Sequence, residues 1–446
     1  MKGDFSRHTF QPGKNYSAVL LQQGRALLDA DFNEQGAIGL RLIRALAADL
    51  IGPHGGPGDG FRLTRVEGGD PPDLAIGAGH YYVDGLLVDA VRPAAAPAVG
   101  GPDGDQPAAG WTYWSQPWAY LDPEEKSDEL PGRTPYVMYL KVWEDLVTAA
   151  EDPEIRETAL GSALPDTAAR SRVFWQVRPA RGLNLTGVKD AAGVRERFAA
   201  WAAERTRPAS RLAARTERPD RSEEDPCIIA PDSRYRGAEN QLYRVEVHGD
   251  RTFKWSRDNG SVTFGVAAVD GRWVTLSALG RDDKLDLHAG DAVELVDDAY
   301  VARGEPRPLL RIDDVDLPDR RVQLSAEPAA GVGRVPARHP LLRRWDHTPD
   351  GDHDGAVAIV EGEWLDLEDG VQVWFAPGGT YRPGDHWLLA ARTVTGDVEW
   401  PRDDEGRPLL LPPAGVTYHF APLAWAHGAG DPEDLRLTFT ALTAGQ

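Results

Sequence analysis

Glycine or proline occupies 82 of the 446 positions, 47 Gly and 35 Pro. Punctuation that dense leaves room for many short strands joined by tight turns, and for few long helices. The apolar residues between these breaks are plentiful, at 41% of the chain and including 14 Trp, 12 Tyr and 11 Phe. Packed cores are therefore expected, and global disorder is not. The length exceeds what one core normally fills, so a multidomain, mainly β chain is predicted.

The clearest exception comes early. Residues 18–28, AVLLQQGRALL, place two apolar stretches around Gln22, Gln23, Gly24 and Arg25 and read as extended segments about a turn. From Asp31 the period changes: Phe32, Gly36, Gly39/Leu40, Ile43, Leu46/Ala47 and Leu50 recur at helical spacing. Asp29 and Asp31 suit a helix start, Gly52-Pro53 suits its end, and Glu34, Arg41, Arg44 and Asp49 are expected to face away from the apolar side. Gly36 and Gly39 cost helix propensity, so either another backbone approaches closely there or the helix is an imperfect one on its own core. Residues 1–60 are thus read as a strand–turn–helix docking element. Its candidate contact residues are Gln22, Gln23, Arg25, Phe32, Ile43 and Leu46.

Residues 61–266 are expected to form a β-rich body. GPHGGPGDG at 52–60 reads as a flexible connector. Leu74–Ile76, Tyr81–Val83 and Leu86–Val88 read as a small meander turning at Asp84-Gly85. Residues 241–266 read as a three-stranded meander whose second turn is Arg257-Asp258-Asn259-Gly260, since Asn-Gly between alternating runs is a strong hairpin signal. An insert at 183–225 reads as a partly helical, partly mobile surface excursion. Short strands over 267–330 predict a small closed barrel, SH3-like or OB-like. Residues 331–446 predict a C-terminal β segment packing back on the body.

Chemistry is sparse. The sequence holds no nucleophile elbow, zinc helix, Cys pair or dinucleotide fingerprint. One pattern is sharper: Asp350, Asp352, Asp354, Gly355 and Glu361 fit the spacing of a calcium loop. The flanks are strand-like rather than helical, leaving a non-helical Ca2+ loop or a solvated acidic turn. Trp111, Trp114 and Trp118 lie in a segment with five aromatics in ten residues. That is either a platform for a glycan or partner, or a core-packing segment.

Charge narrows the partners. The net charge of −21 disfavours nucleic acid and anionic membrane surfaces. No apolar run suggests membrane insertion. The lone Cys227 and the opening MKGDFSRHTF, which lacks an apolar signal core, suggest synthesis in a reducing cytoplasm without a signal peptide.

Five blocks carry a resemblance: MKGDFSRHTF, LLQQGRALLDADFNEQ, MYLKVWEDLVTAAEDPEIRETAL with SRVFWQV, YRGAENQLYRVEVHGDRTFKWSRDNGSV, and LEDGVQVWF through YRPGDHWLLAARTVTGDVEWP. Together they resemble an uncharacterised family encoded with bacterial contractile injection systems, the phage-tail-like particles. The resemblance implies a structural component of such a particle, in the baseplate or a fibre, with other particle proteins as partners, while association through an exposed helix face and sheet surfaces suggests a homo-oligomer. The opening block is also similar to the start of larger tail-associated proteins, which implies a shared attachment module. A receptor- or glycan-binding module and a particle-borne wall hydrolase remain as alternatives. The resemblance brings no catalytic residues.

Overall fold

A computed structural model describes residues 1–93, 110–161, 165–216, 234–280, 285–348, 353–428 and 430–440. The chain is mainly β, as its Gly/Pro spacing predicts, with one long helix, α1, at Asp29–Ile51. Two further helices, α2 (Ala191–Thr206) and α3 (Asp298–Arg303), are shorter.

The strands gather around three cores. In the first, Tyr136–Val147 lies between His419–Ala426 and Arg170–Pro179, all antiparallel. Strand alternation sends Met138, Leu140 and Val142 to one face. There they join Trp175 of the neighbouring strand and meet Phe61, Tyr81 and Trp111 from two small sheets built mostly of residues 54–112. The opposite face, through Val137 and Tyr139, is covered by Val194, Phe198 and Trp201 of α2. In the second core Gln241–Gly249 pairs with Thr252–Ser256 and His386–Arg392. A sheet of Trp364–Asp366, Val371–Phe375 and Leu212–Thr216 completes it, burying Tyr243, Trp255, Phe375 and Trp387.

The third core fills a closed six-stranded barrel. Its ring runs Thr263–Asp270, Trp273–Leu276, Arg321–Leu324, Leu310–Asp316, Ala292–Val296 and Leu341–Trp345, and closes between the last strand and the first. Phe264, Val274, Ile312, Val322 and Leu342 point inward. The barrel thus reaches past both ends of the 267–330 segment in which the sequence places it.

Several local expectations need correction. Asn259 and Gly260 do adopt positive φ, at 52° and 64°. The chain leaving them does not return to Thr252–Ser256, however; Thr263–Gly265 pairs with Leu341–Arg343 of the barrel instead. Asn259 is wholly buried, its amide donating to the Gly3 carbonyl at 2.8 Å, so this turn joins modules rather than strands of one hairpin. The Leu74–Ile76 strand pairs with Leu63–Arg65 and Trp111–Thr112, not with His80–Val83, which breaks the expected meander. The supposed connector contains a buried strand, His54–Pro57, whose Gly56 lets Tyr81 approach to 2.5 Å of where a Cβ would sit. The helix within the 183–225 insert is no excursion, since α2 builds core and Leu212–Thr216 pairs with Val371–Phe375. Residues 217–225, read as mobile, lie outside the described residues.

Candidate docking surface

α1 starts one residue after Leu28, which provides no side-chain cap, and ends at Gly52 with φ 92°. Asp29 and Asp31 occupy its first turn, where the helix dipole favours acids. Asp29 also anchors what precedes it: Ser6 donates to its carboxylate through both N–H, at 2.9 Å, and Oγ, at 2.5 Å. Burial works against the Asp29 charge, but the Ser6 hydrogen bonds outweigh it and hold the carboxyl below its usual range.

The polar side of the helix is the one that meets the body. Ala30 and Ile38 are buried against the body, and Ile38 is only 2% exposed. Glu34 and Arg44 lie away from the apolar side, as expected, and it is the body that they meet. Thr9 Oγ1 donates to Glu34 at 2.5 Å. Arg44 makes a two-pronged contact with Glu144 on the strand Tyr136–Val147, at 2.8 and 2.6 Å. The tight turn at Asp84-Gly85 fits beneath the helix so closely that a Cβ on Gly85 would lie 2.2 Å from the Arg44 carbonyl oxygen. Small residues, one isoleucine and paired charges therefore seat α1 on the body.

The apolar stripe faces solvent. Phe32 is 83% exposed, Ile43 65% and Leu46 61%, with Leu50 beside them. A Cβ on Gly36 or Gly39 would meet no atom within 4 Å. Neither glycine is explained by packing within the chain, which sets aside the reading of an imperfect helix on its own core. The preceding arm continues the surface through exposed Leu20, Leu21, Leu27 and Leu28. Gln22, Gln23 and Arg25 form its exposed tip, a turn in which Arg25 N–H donates to the Gln22 carbonyl at 3.3 Å and Gly24 takes φ 71°. A bond from Val19 N–H to Gln35 Oε1, at 2.7 Å, holds the arm to the helix. The candidate contact residues left out the four arm leucines, Leu40 and Leu42; for the arm leucines the clustering in LLQQGRALL was the available signal, and Leu40 already fell on the helical repeat.

Eleven exposed large apolar side chains fall between Tyr16 and Leu50, while those elsewhere among the described residues are scattered singly or in pairs. Covering one such side chain is worth about 1.5–3 kcal/mol, or roughly 60–120 Å² at ~25 cal/mol/Å². The patch thus amounts to roughly 700–1,300 Å², far above scattered surface apolar residues and comparable with the ~800 Å² one partner contributes to a standard interface.

The base of the arm is fastened to the sheet of the second core. Lys2 reaches Glu246 at 3.1 Å, Arg7 reaches Glu399 at 3.2 Å, and Arg392 donates to the Ser6 carbonyl at 2.9 Å. Glu246 also takes Arg244 at 2.6 Å and Lys254 at 3.4 Å. Lys254 bridges on to Glu294 of the barrel at 2.8 Å, and Tyr300 OH and Trp345 Nε1 complete the Glu294 shell at 2.9 and 3.0 Å. Burial opposes both carboxylate charges, yet the surrounding cations prevail: Glu246 is held well below its usual range and Glu294 at about 2.

The other candidates are placed differently. Trp111 is core, 6% exposed, and so cannot form a platform. Trp118 packs edge-on against Phe174 and Trp175, and Trp114 donates Nε1 to the Pro72 carbonyl at 2.9 Å. Their aromatic surface serves packing. Asp350 and Asp352 lie outside the described residues. Asp354 takes φ 53° at the surface. Both Glu361 oxygens already accept hydrogen bonds, from Gly378 and Gly379 N–H and from Tyr381 OH, which calcium would have to displace. Among the described residues no three His, Cys, Asp or Glu side chains gather as metal ligands. A polar cleft of about 410 Å³ is lined by Arg257, His288, Asp291, Arg344 and Asp346, and its arginines pair with Asp346 and Glu368. No helix of the described residues is long and apolar enough to cross a membrane.

The model of a family of unknown function, DUF6519, matches residues 1–206 and 184–443. The chain belongs to that family. No curated protein and no solved structure matches it.

Proposed function

We propose that this chain is a non-catalytic attachment component of a multiprotein particle, docked through residues 16–50. The observation that carries the reading is the group of exposed apolar side chains on the arm and α1, turned to solvent on a helix whose opposite side is fastened to the body. An apolar patch of that size, exposed on an otherwise strongly acidic chain, is a protein-binding surface by the ordinary cost of leaving it in water. The five sequence blocks that resemble proteins encoded with contractile injection systems support a phage-tail-like particle as the setting, with other particle proteins as partners.

The test is the triple variant Phe32→Glu, Ile43→Glu, Leu46→Glu, expressed in cells that make the particle. These side chains meet solvent, so each change is expected to alter folding by no more than about 0.5 kcal/mol. Circular dichroism and thermal unfolding should match the parent chain, while the variant disappears from purified particles. A folded variant incorporated at the parental level refutes docking through this face. Point substitutions are the right tool because deleting residues 1–52 would also remove Lys2 from the buried Glu246 cluster.

A further inference from the structure

We infer that the occupant of the α1 face is a second copy of this chain; the inference rests on the docking reading above and names its partner. The exposed positions Phe32, Gly36, Ile43, Leu46 and Leu50, with half-buried Gly39 among them, are separated by four, three, four, three and four residues. That alternation is the seam of a coiled coil, the pattern by which like helices pack along their length. The body-facing residues Ala30, Glu34, Ile38 and Arg44 fall off the seam, so its pattern owes nothing to packing within the chain.

Charge argues for a like partner. A chain of net charge −21 repels its own copies over most of its surface. From Phe32 to Leu50 the seam carries no charge, and the acids beside it, Asp29, Asp31 and Asp49, lie only at its two ends. A copy is not repelled there, and no charge pattern selects a different partner of opposite sign. The open space over Gly36 and Gly39 lets helix backbones approach where side chains would hold them apart. Together with the arm leucines that lead into it, the face offers roughly 700–1,300 Å² of apolar area per copy, which meets what one side of a stable interface needs.

Light scattering on the purified full chain tests this. A dimer or larger closed oligomer is expected, reverting to monomer in Ile43→Glu/Leu46→Glu and persisting in Val394→Glu, a change at an exposed valine away from the helix. Gly39 sits next to the midpoint of α1, so copies meet there whether the helices run parallel or antiparallel. Gly39→Cys, in a Cys227→Ser background, should therefore form a disulfide between chains on mild oxidation. A parent chain that stays monomeric where micromolar association would be visible overturns the inference, as does an oligomer untouched by the seam variant. Neither result touches docking itself, which is read separately by incorporation into particles.

Discussion

Replacing Lys254 by Met tests how the modules are held together. Lys254 is buried between Glu246 of the second core and Glu294 of the barrel, 3.4 and 2.8 Å away. Burial alone would push the Glu294 pKa up, but Lys254, and after it Lys2, more than offset this and hold it at about 2 against an ordinary 4.5. At about 1.36 kcal/mol per pH unit, that lowering corresponds to roughly 3 kcal/mol of stability. The figure agrees with the ~3–5 kcal/mol generally lost when one member of a buried ion pair is removed. A carboxyl with a depressed folded pKa contributes fully above its unfolded value. Its contribution is lost as pH falls from 4.5 toward 2. Urea unfolding followed by tryptophan fluorescence should therefore show Lys254→Met destabilised by about 3 kcal/mol near pH 7, and by roughly half that or less near pH 3. The double variant Lys254→Met/Glu294→Gln should recover part of the loss near pH 7, because no uncompensated charge remains at Glu294. A penalty below about 1 kcal/mol, or one equal at both pH values, would refute the assignment of Glu294 as a carboxylate held ionised by Lys254.

Two more outcomes are expected. Gly85→Ala puts a Cβ 2.2 Å from the Arg44 carbonyl at φ 79°, and should cost about 2–4 kcal/mol. Hydrogen exchange should rise along α1 if that turn is its seat, and unchanged protection there would count against it. Trp111→Ala should lower stability by about 3–5 kcal/mol, as for any large core aromatic, so an unaltered denaturation midpoint would return this residue to the surface.

Strands were legible wherever apolar alternation was local. Leu74–Ile76, Tyr81–Val83 and Leu86–Val88 all read as strands, and each lies within one. Pairing was less legible, because a turn fixes the geometry of its own residues and not the destination of the chain beyond them. Asn259-Gly260 has the positive φ its sequence predicts, yet the competing partner, Leu341–Arg343, lies some 80 residues away and captures the exit strand. Gly55 and Gly56 misled in the opposite sense. Glycines in sequence suggest looseness, whereas Gly56 is present because Tyr81 and the His80 carbonyl crowd it.

The same distinction governs the docking element. A helical apolar period states that two faces differ; it does not state which one meets the body. The polar side of α1 is turned inward because specific partners wait there: Glu144 for Arg44, Thr9 for Glu34, and a glycine turn shaped to the backbone at Arg44. None of these is near in sequence, so no local pattern reveals them. Once the polar face is taken, the apolar stripe can only point outward, carrying Phe32, Ile43 and Leu46 to solvent. The anchoring contacts and the exposed seam are thus one arrangement. Any change that frees Arg44 from Glu144 removes the reason for the helix to present its apolar side, and rolling that stripe onto the body would withdraw the very surface a partner needs.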